Sequence, residues 1–327
     1  MINGHGDDIY SYEGIRMNFS SNIYAHTDLS ELEEHLCRHV DLIRSYPEPT
    51  THSLEAMIAD ECGVSPDEVL VTSGATDAIY LIAQAFREKP TFKVFHPTFS
   101  EYEDACRMFG YEEDENAALC WLCNPNNPTG EVFSDSFIST LATKHDLLVI
   151  DQSYENYTLA PMLSPQDAVR MGNVLQLHSM TKQYAIPGLR VGYVVASSKL
   201  IAALRNHYRP WAVNALAVEA GKWLLTHPIP LLPDLAAYLK ETERLRMRLH
   251  ALDGITTFDT ATNFFLCTIH PESAAALKAY LVRHHGILIR DASNFQGLTP
   301  HHFRIATQSP TENDALVDAV TQYLRRP

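Results

Sequence analysis

One lysine stands in a segment that otherwise looks like protein interior, and its neighbours suggest chemistry. Lys182 lies in QLHSMTKQYAIPGLRVGYVV (176–195) as the only lysine of that segment, after Ser179 and before Arg190. A lysine amine condenses with a carbonyl to give a Schiff base, and the nearby hydroxyl and guanidinium could bind a phosphate. The alternatives are a surface lysine with a buried stem and an arginine that pairs with a carboxylate.

A second candidate phosphate site lies in the segment TSGATDAI, which reads as a tight turn between a strand and a helix. It places Gly74, Ala75 and Thr76 at the start of the helix. The free N–H groups and the dipole of a helix N-terminus attract anions, so this turn is suited to a phosphate. The alternative is an ordinary turn in which Ser73 or Thr76 caps the helix.

Two polar segments at predicted strand ends supply the remaining groups. NPNNPTG (124–130) contains Asn127, and DQSYENY contains Asp151 at a strand end with Tyr154 three residues later. A carboxylate could hold a positively charged pyridinium nitrogen, and a phenol and an amide could bind a ring oxygen. Asp151 could otherwise cap a helix. Together with the lysine and the phosphate-binding groups, these residues describe a pocket for pyridoxal 5'-phosphate.

The chain's alternating patterns predict the elements that must position these groups. From about residue 54 to 215, apolar strand-like runs alternate with helical segments, which indicates an α/β fold with a mostly parallel sheet. Functional groups in such sheets gather beyond the carboxyl ends of the strands, so the polar turns could converge on one crevice. We expect VLQLHSMTK (174–182) to be a strand throughout, and a smaller α+β domain towards the C-terminus.

Composition and charge exclude several functional classes. The net charge of −15 disfavours binding to nucleic acid or to anionic membranes. No apolar run reaches the roughly 20 residues that span a bilayer, and the N-terminus does not resemble a signal peptide. Six cysteines suggest no disulfide framework, and we expect a cytoplasmic protein. We interpret Cys120 and Cys123 as core residues of a buried strand and not as a redox or metal pair, because no second CxxC is present.

The combined motifs resemble those of the fold-type I pyridoxal-phosphate enzymes of the class I/II aminotransferase superfamily. The matching segments are SGATDAI, HPTFSEY, NPNNPTG, DQSYENY, SMTKQYAIPGLRVGY and FRIAT, and the resemblance covers nearly the whole chain. It implies a large α/β domain with a mostly parallel seven-stranded sheet and a smaller α+β C-terminal domain. We predict an N-terminal arm (1–48) that contributes to the active site and the small domain, a large cofactor-binding domain (49–215) and a small domain (216–327).

The resemblance also implies a role for each matching residue. Lys182 would form the internal aldimine with pyridoxal 5'-phosphate, and Asp151 would pair with the pyridine nitrogen. Tyr154 and Asn127 would bind the 3-oxygen, and Phe99 would stack on the ring. The phosphate would be held by Gly74, Ala75, Thr76, Ser179 and Arg190. Tyr46, in SYPEPT, matches a tyrosine that reaches the cofactor phosphate of the neighbouring subunit, which implies a homodimer with shared active sites.

Finer features resemble the group that contains histidinol-phosphate aminotransferase and threonine-phosphate decarboxylase. YPEP and TNFFL are typical of the whole group, whereas three features look closer to the decarboxylase. These are His5 and Gly6 near the start, Asn22 in NFSSNIY, and the pair Arg290 and Arg304. They would grip the phosphate and carboxylate of a substrate, with Arg304 on the α-carboxylate. The chain departs from the decarboxylase pattern in lacking a proline after Asn22.

The leading hypothesis is a lyase that decarboxylates L-threonine O-3-phosphate to aminopropanol phosphate, a precursor in cobalamin biosynthesis. The alternative is an aminotransferase of histidinol phosphate or of a related amino acid or phosphorylated amine. A protein of this fold that binds without catalysis is disfavoured, because every pocket group is present. We expect no metal cofactor: His284, His285, His301 and His302 are interpreted as solvated or capping residues.

Overall fold

The computed structural model describes residues 8–227 and 234–326, which form a seven-stranded sheet, a four-stranded sheet and a two-stranded sheet with surrounding helices. The α-helices are α1 (Ser30–Arg38), α2 (His52–Cys62), α3 (Ala75–Ala85), α4 (Glu101–Met108), α5 (Asp135–Lys144), α6 (Pro165–Met171), α7 (Met180–Gln183), α8 (Ser198–Arg205), α9 (Ala215–Thr226), α10 (Leu235–His250), α11 (Ala274–His285) and α12 (Pro310–Leu324). The strands are β1 (Met17–Asn18), β2 (Val69–Thr72), β3 (Thr91–Lys93), β4 (Glu112–Glu113), β5 (Leu119–Cys123), β6 (Leu147–Asp151), β7 (Val174–His178), β8 (Gly192–Ala196), β9 (Ile255–Thr257), β10 (Phe264–Ile269), β11 (Ile287–Leu288), β12 (Arg290–Asp291) and β13 (His302–Ala306).

The large sheet has seven strands in the order β2-β8-β7-β6-β5-β3-β4, and it confirms the predicted α/β fold. Neighbouring strands from β7 through to β4 are parallel, whereas β8 runs antiparallel to both β7 and β2. The central strands are continuous apolar runs because helices cover both faces of the sheet. Cys120 and Cys123 lie on opposite faces of β5, in different core clusters, as expected for core residues.

The small sheet is antiparallel, with the order β12-β13-β10-β9. Side chains of α10, α11 and α12 pack on it, and Leu245, Leu277 and Leu316 are fully buried there beside Phe303. The N-terminal segment joins this unit, because β1 pairs in parallel with β11. The predicted α+β C-terminal unit is therefore present.

One detail of the predicted organisation differs from the structure. The run 174–182 is not one strand: β7 ends at His178, and Lys182 lies in the short helix α7. The chain turns there because Ser179 is extended and the following residues form a helical turn. Helix α9 packs against α1 and α2 within the core of the large unit. The predicted division of the chain into residues 1–48, 49–215 and 216–327 stays a prediction.

Among residues 8–227 and 234–326, no helix combines the length and the apolar character that crossing a bilayer requires.

Candidate active site

A cavity of about 260 Å³ lies where the carboxyl ends of the large sheet's strands, the small sheet and the N-terminal segment meet. Most of the predicted site residues line it: Asn22, Ala75, Thr76, Phe99, Asn127, Asp151, Tyr154, Ser179, Lys182, Arg190, Arg290 and Arg304. Gly74 is not a lining residue itself but directly precedes Ala75, which is. Tyr46 is 85% exposed on a different surface, and His5 and Gly6 lie outside the described residues.

The turn before α3 is shaped for an anion. Gly74 has a φ of 84°, and no side chain caps the helix, so neither Ser73 nor Thr76 acts as the cap. A Cβ at Gly74 would lie 2.7 Å from Nη2 of Arg190, and a Cβ at Gly192 would lie 3.0 Å from the backbone N of Ala75. The two glycines therefore let a guanidinium and a strand approach the first turn of α3, whose N–H groups lack helical partners. This cradle fits a phosphate.

The lysine is half-buried in the cavity wall, and its backbone is tied to two other segments. Nζ of Lys182 lies 5.8 Å from the centroid of the Tyr154 ring. The buried hydroxyl of Tyr157 donates a hydrogen bond to the carbonyl of Lys182 (3.1 Å) and accepts one from the backbone N of Tyr24 (3.3 Å). The position of α7 therefore depends on the N-terminal segment as well as on the large sheet.

The carboxylate at the end of β6 is held by a tyrosine that sequence reasoning missed. Oδ2 of Asp151 accepts a hydrogen bond of 2.7 Å from the hydroxyl of Tyr102, and Oδ1 accepts one of 2.9 Å from the backbone N of Ser153. Burial, and then the charge of Asp151, raise the pKa of Tyr102 well above its usual value. The hydroxyl therefore stays protonated and acts as a donor to the carboxylate. Tyr102 is fixed in turn by stacking on Trp121, at 5.3 Å between ring centroids.

Two arginines lie opposite each other on neighbouring strands of the small sheet. Arg290 on β12 and Arg304 on β13 are paired in register, which explains their spacing in the sequence. Nη2 of Arg290 donates to Oδ1 of Asn294 (2.8 Å). Nη2 of Arg304 donates to the carbonyl of Ser20 (2.6 Å), and Nη1 donates to Asn127. The small sheet thus presents two guanidinium groups to the same cavity.

Burial lowers the pKa of both guanidinium groups. Burial lowers the pKa of Arg304 from 12.5 to about 10, with Tyr154 opposing this shift and Arg290 adding to it. Burial also lowers the pKa of Arg290, against the opposing effect of Asp291 and Asp8. Both groups remain charged at neutral pH. Like charges on directly paired residues of neighbouring strands repel each other. This wall of the cavity therefore favours a bound anion.

Asn22 is buried in the same cavity, and its side-chain amide has unused hydrogen-bonding groups. The residue is 1% exposed, and neither its Oδ1 nor its Nδ2 has a partner among the described residues. Leaving both atoms of a buried amide unsatisfied costs free energy. The amide is therefore available to a bound ligand.

Several cavity residues were missed by sequence reasoning. They are Ser20, Ser21, Ser100, Tyr102, Cys123, Ser153, Thr181, Pro187, Asn294 and Phe295. Tyr102 carried a signal, because it lies three residues after Phe99 at a predicted helix start and such residues share a face. Ser20 carried none, because its contact with Arg304 spans most of the chain. Among the described residues, the four histidines considered as ligands join no cluster of three possible metal ligands.

Comparison with known proteins identifies the class to which this fold and site belong. It is the class of fold-type I enzymes, which bind their cofactor in a cavity such as this one. The family model for aminotransferase class I and II matches residues 15–113 and 110–320, so the chain belongs to this family. A putative threonine-phosphate decarboxylase of Caldanaerobacter subterraneus is 31% identical, with 97% of this chain and 92% of the relative covered. A histidinol-phosphate aminotransferase of the same organism is 28% identical, with 96% of each chain covered.

Solved structures agree with this assignment. L-threonine-O-3-phosphate decarboxylase from Porphyromonas gingivalis superposes with a TM-score of 0.91 at 37% identity, with 95% of this chain and all of that chain covered. Histidinol-phosphate aminotransferase from Sinorhizobium meliloti, solved in complex with pyridoxal 5'-phosphate, gives a TM-score of 0.84 at 20% identity and supports the fold alone; 95% of this chain and 91% of that chain are covered. Enzymes of this family depend on pyridoxal 5'-phosphate, and the chain is such an enzyme.

The residues present fit this cofactor. The glycine cradle beside Arg190 suits its phosphate, the cavity holds the amine of Lys182 for its aldehyde, and Asp151 is an oriented carboxylate for a protonated ring nitrogen. We propose that these residues hold the cofactor as the sequence predicts, with Phe99 against the ring. We also propose that Tyr102 keeps Asp151 in position for it.

Replacing Tyr102 with Phe tests that role. The variant loses a hydrogen bond to a carboxylate, a contact worth about 1.5–3 kcal/mol. We expect the affinity for pyridoxal 5'-phosphate to fall by about 10- to 100-fold, measured by titrating the apoenzyme and following the absorbance of the bound cofactor.

Tyr111→Phe is the matched control. Tyr111 is also buried in the core of the large unit and donates one hydrogen bond, to the carbonyl of Ala83 (3.0 Å), but it does not line the cavity. Its loss should lower thermal stability and leave cofactor affinity unchanged. Equal cofactor affinity in wild type and Tyr102→Phe would contradict the proposed role.

Proposed function

We propose that this enzyme decarboxylates L-threonine O-3-phosphate to aminopropanol phosphate, a step of cobalamin biosynthesis. The observation that carries the proposal is the facing pair Arg290 and Arg304, with the unsatisfied amide of Asn22 in the same cavity. A substrate with a phosphate and a carboxylate offers one anionic group to each arginine. The relatives named as threonine-phosphate decarboxylases, at 31% and 37% identity, support this substrate.

We propose that each of the two guanidinium groups binds a different anionic group of the substrate. Arg304 is nearer the large sheet through its bond to Asn127, so we assign it to the α-carboxylate. Arg290, which lies beside Asn294 and Phe295, is assigned to the phosphate. Arg–carboxylate and Arg–phosphate contacts are strong because they are charge-assisted and can be bidentate. Together they would fix the orientation of the substrate.

Orientation decides which bond breaks. The bound cofactor supplies an electron sink for the pair released at the substrate Cα. A bond to Cα breaks when it stands perpendicular to the cofactor ring, so residues that hold the carboxylate there favour loss of CO₂. Cα must then receive a proton, and the half-buried amine of Lys182, beside the Tyr154 phenol, is the group we assign to deliver it. The sum is substrate plus one proton giving product and CO₂.

An aminotransferase acting on histidinol phosphate or a related phosphorylated amine is the second candidate. Relatives with that name are 28–29% identical, and the same arginine pair could bind a phosphorylated substrate.

We also propose that the enzyme works in the cytoplasm. All six cysteines are free, which is typical of reducing compartments.

A homodimer with shared active sites is part of the proposal. Val40, Ile43, Tyr46 and Trp211 are large apolar residues that are at least half exposed, and the rings of Tyr46 and Trp211 lie 5.4 Å apart. Exposed apolar residues near one another are typical of interaction surfaces. Tyr46 lies outside the cavity of its own chain, so a role at the cofactor phosphate requires a partner subunit.

The reaction itself is tested by supplying phosphothreonine with no oxo acid. We expect the enzyme to release one CO₂ for each aminopropanol phosphate formed, measured with carboxyl-labelled substrate. Lys182→Ala should release none and should lose the visible band of the bound cofactor. Strict dependence on 2-oxoglutarate, or amine transfer from histidinol phosphate, would favour the aminotransferase.

Arg290→Gln tests the phosphate assignment. Removing a charged hydrogen-bond donor that faces the substrate should lower kcat/KM by about 10- to 100-fold, corresponding to about 1.5–3 kcal/mol. Arg283→Gln is the control, because Arg283 is exposed on the neighbouring helix α11 and carries the same charge. Equal kcat/KM values for the two variants would contradict the assignment.

Mixing two impaired variants tests the shared site. We expect Tyr46→Ala and Lys182→Ala each to be impaired alone, whereas mixed dimers contain one site with both residues intact. Random mixing of subunits in a two-fold dimer should restore about a quarter of wild-type activity. Light scattering should give a mass of twice 36.8 kDa. A monomer, or no recovery in dimers shown to exchange subunits, would contradict sharing.

A further inference from the structure

Two histidines and a glutamate meet where α1 packs against α9, away from the cavity. His35 lies in the last turn of α1, His39 is the residue that ends this helix, and Glu219 lies on α9. One potential ligand atom from each residue lies within 4.8 Å of the others. None of the three lines the cavity, and the proposed reaction uses none of them.

The contacts of the two imidazoles orient them as ligands. Nδ1 of His39 lies 2.8 Å from the carbonyl oxygen of His35. Since a carbonyl only accepts, Nδ1 carries the proton and Nε2 of a neutral ring keeps its lone pair. A backbone carbonyl holding one ring nitrogen is the usual support of a metal-binding histidine. Nε2 of His35 lies 2.8 Å from Oε1 of Glu219, and the two rings lie 4.2 Å apart.

We propose that His35, His39 and Glu219 bind one divalent transition-metal ion of the Zn²⁺ class. Histidines four residues apart share a face at the end of a helix, and two imidazoles with one carboxylate suit such an ion, with water in the fourth position. The ion would replace the proton shared by His35 and Glu219. Ligands of tetrahedral zinc stand about 3.3 Å apart for bonds near 2.0 Å, so small side-chain rotations complete the site.

The position of the site defines its role as structural. Helix α1 follows the segment that contributes Ser20, Ser21 and Asn22 to the cavity, and α9 belongs to the core of the large unit. A bound ion would fasten the two helices together. The net charge of −15 also favours uptake of a cation.

Equilibrium dialysis of the untagged holoenzyme against Zn²⁺ tests the proposal. We expect one Zn²⁺ per chain in the wild type, a higher Tm with Zn²⁺ than with EDTA, and no saturable binding of Mg²⁺. His39→Gln and Glu219→Gln should each weaken Zn²⁺ binding at least about tenfold, because even outer-shell changes cost that much. Co²⁺ bound at the site should give a visible spectrum typical of nitrogen and oxygen ligands.

Two variants serve as matched controls. His52→Gln removes an exposed histidine that also lies near a carboxylate, at 3.4 Å from Glu55, and Cys37→Ser removes the exposed thiol of α1. Both should bind Zn²⁺ as the wild type does. The visible band of the cofactor is followed in parallel, because pyridoxal phosphate itself chelates Zn²⁺.

Three results would overturn the proposal. The first is the absence of stoichiometric binding in the wild type. The second is wild-type affinity in both His39→Gln and Glu219→Gln, each shown to be folded by circular dichroism. The third is loss of binding in Cys37→Ser, or a cofactor band shift that accounts for all the Zn²⁺ bound, since either assigns the ion to another group.

Discussion

The side chain of Arg304 is the point at which three separate parts of the chain meet. It projects from the small sheet, donates to Asn127 of the large unit and donates to the carbonyl of Ser20 in the N-terminal segment. A buried guanidinium requires acceptors, and each part supplies one or carries the donor. The cavity lies where these parts meet, so the two hydrogen bonds of Arg304 help to set its shape.

The large sheet and the small sheet contribute different kinds of residue to the cavity. The large sheet provides a rigid cradle, in which strand ends, Gly74 and the Tyr102–Asp151 pair are set by the packing of a buried parallel sheet. The small sheet and the N-terminal segment provide two guanidinium groups and the amide of Asn22, which we propose contact the substrate. Their contacts with the substrate would then decide which bond to Cα is oriented for cleavage.

Sequence reasoning succeeded where chemistry is local and failed where it is not. Lys182, Asp151 and Ala75 each follow a strand pattern directly, so their arrival at one sheet edge was predictable from parallel-sheet geometry. The strand assigned through Lys182 was too long, since apolar periodicity does not reveal the turn after His178. The contacts of Ser20 with Arg304 and of His35 with Glu219 join residues 284 and 184 positions apart, and no spacing rule reaches that far.

The facing arginines also limit how stable this protein can be. The folded chain holds the proton of Arg304 less tightly than an unfolded chain would, so burying it opposes folding at every pH below about 10. An apolar residue in place of Arg304 would pack without that cost, but would leave Arg290 as the one arginine of this pair to attract an anion. An anion bound beside Arg304 and Arg290 would offset that cost. Thermal stability should therefore rise and fall with the supply of anionic ligand, as a property inherited from the fold itself.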